Sequence, residues 1–80
     1  MASPYFFEGT TYGSDGDERA HFEWMRRISC VRDVRGEGPR LYMAIAEAEV
    51  TTEDLRELKA LYRRYEGDVA QLARLDRAAA

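Results

Sequence analysis

The chain is poor in the residues that staple, ligate or punctuate: in 80 residues it has one cysteine, one histidine, two prolines, one lysine and no asparagine. A single cysteine, Cys30, excludes an intrachain disulfide, and secreted domains of this length normally rely on several, so a reducing compartment is expected. One histidine with one cysteine cannot complete a tetrahedral zinc site, so neither a metal nor a cofactor is expected. The longest strictly apolar run, Leu41 to Ala46, is far short of a membrane span, and no basic segment leads into a hydrophobic one near Met1. Eleven of the twelve basic residues are arginine, a bias that reads as the codon usage of a GC-rich genome. The cytoplasm of a bacterial host cell is the expected location, with no membrane partner.

The strongest local signal runs from Val50 to Tyr65. Thr51 suits the N-cap of a helix with Asp54 at its third position, and Val50 and Leu55 occupy the two positions of a hydrophobic staple. Leu55, Leu58, Leu61, Tyr62 and Tyr65 then share one face, and Gly67 is expected to end the run by taking up the left-handed conformation. Asp68 can start a further short helix in which Val69, Leu72 and Leu75 continue the apolar stripe.

Upstream, Asp15, Asp17 and Glu18 place negative charge where a helix N-terminus favours it, and Phe22, Met25 and Ile28 follow at helical spacing, which predicts a helix over 17–28. Val31 and Val34, then Gly36-Glu37-Gly38-Pro39, then alternation from Leu41 to Ile45 predict two strands about a tight turn. The alternative for 40–48 is a helix, since Pro39 suits a first helical position and alanine favours helices. Residues 1–16 read as an N-terminal arm or edge strand, 17–77 as one compact domain and 78–80 as a frayed tail. The expected fold is a small single α+β domain: a short antiparallel hairpin or sheet packed on two to three helices, in the order α-β-β-α-α with a possible extra N-terminal strand.

None of the chemistry-bearing patterns is complete. His21-Phe22-Glu23 has the H-x-E spacing of zinc deaminases, without the Pro-Cys-x-x-Cys that completes it. His21 reads as an imidazole at the edge of the first helix near Trp24, and Cys30, between Ile28 and Val31, as a small buried hydrophobe. Gly36 and Gly38 open a G-x-G, but Leu41 stands where the third glycine of a phosphate loop belongs. An enzyme is therefore not expected.

Charge is the more suggestive feature. The net charge is −3, yet residues 41–58 hold five acids against one base, and 19–40 hold six bases against three acids. If their segment is extended, Glu47 and Glu49 share one side; Glu53 and Glu57 lie one helical turn apart, with Asp54 adjacent. These five carboxylates can meet an arginine-rich partner, with Tyr5, Phe6, Phe7 and Tyr12 as rigid aromatic anchors; the alternative for the aromatics is a strand sealing the core. In size and charge, though in no motif, the chain is similar to phage-encoded anti-defence proteins such as anti-CRISPR inhibitors and to bacterial toxin-immunity proteins. The expectation is a non-enzymatic, preferentially monomeric inhibitor or antagonist that occludes a larger protein or complex with a basic, nucleic-acid-handling surface. A toxin-immunity protein is one alternative. Another is a regulator that binds nucleic acid directly through Arg26, Arg27, Arg32, Arg35 and Arg40.

Overall fold

A computed structural model describes residues 3–79. Strand β1 (Phe6–Glu8) leads to helix α1 (Asp15–Arg27), strands β2 (Val31–Glu37) and β3 (Arg40–Ile45), a 3-10 turn at Glu47–Glu49, helix α2 (Thr52–Arg64), a second 3-10 turn at Val69–Leu72 and helix α3 (Ala73–Ala79). The fold is the α+β arrangement expected, and the extra N-terminal strand is formed. The sheet is antiparallel, in the order β1-β3-β2. Residues 40–45 are therefore strand and not helix. Within the expected arm, Met1 and Ala2 lie outside the described residues, as does Ala80 of the expected tail.

The hairpin turns on Gly38 and Pro39. Gly38 has φ +57°, a conformation that glycine adopts without steric cost, and Pro39 needs no amide because it sits outside the ladder. Alternation along β3 sends Leu41, Met43 and Ile45 toward the helices, with Met43 fully buried, and Arg40, Tyr42 and Ala44 to the outer face. Phe7 is likewise core and its neighbour Phe6 is outside, its ring tilted against Tyr42 with centroids 5.5 Å apart.

Both long helices begin with a side-chain cap. In α2 the Thr51 hydroxyl accepts the Asp54 amide at 3.0 Å and the Asp54 carboxylate accepts the Thr51 amide at 3.4 Å, a full capping box. Val50 and Leu55 are both buried as the staple requires. Helix α1 starts two residues earlier than predicted because Ser14 is its N-cap, accepting the Asp17 amide at 3.2 Å.

The end of α2 corrects the reading of Gly67. The left-handed residue is Glu66, at φ +57°, and the Gly67 amide closes the terminus by donating to the Tyr62 carbonyl at 2.7 Å, the outer bond of a Schellman motif. Glycine is required at 67 for space. A Cβ there would lie 2.7 Å from both Phe7 Cε1 and Tyr62 Cδ2, two ring atoms locked in the core. Phe7 and Tyr62 in turn pack at 4.6 Å between centroids, joining β1 to α2. The core then runs from these rings through Met25, Leu58, Leu61 and Met43 to Leu72 and Leu75. No helix among the described residues is long and apolar enough to cross a membrane.

Candidate functional site

Where α1 ends and α2 begins, the two helices leave an open groove of about 560 Å³ lined by Trp24, Arg27, Ile28, Ser29, Glu53, Asp54 and Glu57. Its position follows from local sequence. The Thr51 cap starts α2 beside Ser29, in the turn that leads from α1 into β2. Ser29 Oγ then donates to Asp54, 2.9 and 3.0 Å from the two carboxylate oxygens, which ties the helix start to that turn. One turn further along α2, Glu57 Oε1 accepts from Trp24 Nε1 at 3.0 Å and holds the half-buried indole against the groove wall. Glu53 is exposed, with only a 3.7 Å contact to Arg56 on its own helix.

Three of the five carboxylates singled out in the sequence therefore meet in one place, and two do not. Glu47 and Glu49 do not share a side of an extended segment, since they sit in a 3-10 turn. Glu47 accepts from the Tyr5 hydroxyl and lies 3.4 Å from Arg74 Nε, while Glu49 is ion-paired with Arg32. Asp54 is 7% exposed and its oxygens are committed to Ser29 and Thr51, so its role in the groove is to build the wall and supply charge from behind it.

The aromatic set is split in the same way. Tyr5 and Phe7 are each 1% exposed and belong to the core, because β1 seals the open side of the sheet against α2 and the second 3-10 turn; they are not surface anchors. Tyr12 is half-buried, with its hydroxyl 2.7 Å from His21 Nδ1. Only Phe6 lies on an outer surface, the open face of the sheet, with the Arg40 guanidinium 4.6 Å from its ring centre. The residue that sequence reasoning left out of the acidic group is Trp24. Its signal was its place on α1, one residue beyond Glu23 and beside the apolar stripe, at the edge where two packed helices part.

His21 is not at the edge of α1 near Trp24 but fully buried, stacked on Tyr65 at 3.9 Å with Phe7 edge-on at 4.5 Å. Burial lowers its pKa to about 4, with the nearby Arg64 acting in the same direction and Asp17 opposing it. Its Nε2 has no hydrogen-bond partner among the described residues. Cys30 is also buried, and desolvation, followed by the neighbouring Asp54 charge, pushes its thiol up to about 11, the opposite of an activated nucleophile. Among the described residues no three metal-ligating side chains gather.

The arginine cluster is dispersed into local pairs. Arg32 engages Glu49, Arg35 lies 3.9 Å from Asp33, Arg40 engages Glu8 and the Tyr42 hydroxyl, Arg26 lies over the Phe22 ring and Arg27 lines the acidic groove. The chain matches no family model, no curated protein and no solved structure.

Proposed function

We propose that this is a small protein-binding inhibitor that occludes a basic, nucleic-acid-handling partner by taking an arginine or lysine side chain of that partner into the groove between α1 and α2. The observation that carries this reading is the convergence of Glu53, Asp54, Glu57 and Trp24 on one open groove in which Arg27 is the only base. A guanidinium entering there meets carboxylates that its own fork can bridge and an indole whose face attracts cations. Because Glu53 and Glu57 are exposed, the attraction is long-ranged and screened by salt, which favours fast association over tight holding. The partner loses a residue that otherwise grips a phosphate backbone. Occlusion of this kind would suit a phage anti-defence protein of the anti-CRISPR type or an immunity protein set against a basic nuclease toxin.

Parallel capture from bacterial lysate with the tagged protein and with a Glu53→Gln, Glu57→Gln variant tests the reading. The wild-type chain is expected to retain nucleic-acid-binding proteins at about 50 mM salt and release them by about 300 mM, where screening shortens the reach of exposed charges to a few ångströms. Added inhibitor should displace nucleic acid from the retained partner in a gel-shift assay, and the variant should retain little. Equal retention by both proteins, or a partner whose nucleic-acid binding is untouched, overturns the proposal.

A further inference from the structure

The two edges of the sheet are finished differently. The β1 edge is three residues long and backed by the second 3-10 turn, whose Gln71 Oε1 accepts the outward Phe6 amide at 2.9 Å. The β2 edge runs seven residues, Val31–Glu37, with a bulge between Val31 and Asp33 and a regular stretch from Asp33 onward, and lies at the end of the strand order. A two-residue loop makes Glu37 and Arg40 a hydrogen-bonded pair, and alternation then turns the peptide groups of Asp33, Arg35 and Glu37 toward β3. Those of Val34 and Gly36 point away from the sheet and have no partner among the described residues. Such an edge is a template for another strand.

The side chains specify which strand. We propose that β2 pairs antiparallel with β2 of a second copy about a two-fold axis through Val34, joining two three-stranded sheets into one of six. In that register the outward peptide of Val34 exchanges both hydrogen bonds with its own counterpart. Asp33 then faces Arg35 of the other copy and Arg35 faces Asp33, twice over by symmetry, at the close, non-hydrogen-bonded positions where cross-strand side chains interact best. Both residues are available: their contact within the chain is only 3.9 Å, and their side chains are 72% (Arg35) and 61% (Asp33) exposed. Gly36 comes opposite the bulge around Arg32; nothing within 4 Å surrounds its Cβ position, and a glycine inside a strand leaves room for another backbone to approach. A two-fold axis through Arg35 sets like charges face to face, and one through Gly36 engages only residues 35–37 of the strand. The axis through Val34 centres the contact on Asp33–Arg35, between the bulge and the hairpin turn, and sets both charge pairs across it.

An edge pairing of this length covers less surface than a standard stable interface, so the dimer is a weak one that forms at high protein concentration. It leaves the α1/α2 groove open and presents two copies of it, and it stands whether or not the groove binds a basic partner. It also departs from the monomer expected above.

Sedimentation of the full chain from about 10 μM to 1 mM at low salt tests the pairing. The 9.2 kDa chain is expected to shift toward twice its mass, with amide exchange at Val34 and Gly36 slowing as concentration rises. Asp33→Arg alone and Arg35→Asp alone each put like charges across the axis and should weaken self-association about tenfold, while the double exchange Asp33→Arg, Arg35→Asp restores opposite charges and should recover it. Circular dichroism confirms that each variant is folded. A wild-type chain that stays monomeric at 1 mM overturns the proposal, as does a dimer indifferent to the single reversals or one that the double exchange fails to rescue.

Discussion

The aromatic seam around His21 and the groove between α1 and α2 differ in what each leaves for solvent. In the seam, Phe7, His21, Tyr62 and Tyr65 close on one another with centroid separations of 3.9–4.6 Å and keep almost no exposed area. In the groove, Trp24 is pinned by one hydrogen bond, while Glu53 and Glu57 stay exposed. Neighbours in sequence are divided between the two fates: Phe7 is core and Phe6 is on the outer face, Asp54 is buried and Glu53 is exposed. The seam spends its aromatics on holding β1 to α2, and the groove leaves its charge exposed to solvent.

Truncating the paired neighbours sharpens that contrast most. Phe7→Ala removes a fully buried ring that touches Tyr62 and His21 and should cost about 3–5 kcal/mol. A domain of this size holds only about 4–12 kcal/mol in total, so the variant should be largely unfolded or melt far below the wild type by circular dichroism. Phe6→Ala loses its contacts with Tyr42 and Arg40 on the open face and should cost less than about 1 kcal/mol. Equal costs for the two would mean that β1 is not seated as described.

The seam should also be the acid-sensitive region. An unfolded histidine takes its proton near pH 6.5, whereas His21 in the fold, desolvated against Tyr65 and Phe7, resists until about pH 4. Between those values the unfolded state binds more protons than the native state, so stability is full above pH 6.5, falls as pH drops through the window and levels off below 4. The loss is up to about 3 kcal/mol. Asp17 titrates lower, because the Gly13 amide first and Arg64 next hold its carboxyl below the usual range; its contribution is present at higher pH and is lost only on further acidification. Urea titrations at pH 7, 5.5 and 4 should show the decline in the wild type and a flatter profile in His21→Phe. A wild-type stability independent of pH across this window contradicts the buried, neutral imidazole.

These two regions also show what the sequence discloses and what it withholds. The capping box of Thr51 and Asp54, the Val50–Leu55 staple and the tight turn at Gly38-Pro39 are each written within a span of six residues, and each stands where its spacing puts it. The Ser14 cap carries an equally local signature, serine followed three residues later by an acid, and the acids after it drew the start of α1 too far along. What spacing does not disclose is which of two adjacent residues the tertiary fold claims. Tyr12 meeting His21, Glu47 meeting Tyr5 across 42 residues and Gly67 yielding space to Phe7 all depend on β1 folding back on β3 and α2. A carboxylate that supports a helix cap and one that stays exposed look alike until the neighbouring turn is in place.

That last distinction can be tested at the groove itself, where the expected effects are smallest. Asp54→Ala removes the acceptor of the Thr51 amide and of the Ser29 hydroxyl and should cost about 1–2 kcal/mol in chemical denaturation. Glu53→Gln, one residue away and solvated, should change stability by no more than about 0.5 kcal/mol. If Glu53→Gln instead destabilises the fold as much as Asp54→Ala, the exposed carboxylate is serving the helix and is not reserved for a partner. If it leaves the fold untouched while reducing salt-sensitive capture, the two neighbours have the separate duties their surroundings assign, one holding the groove open and the other charging its rim.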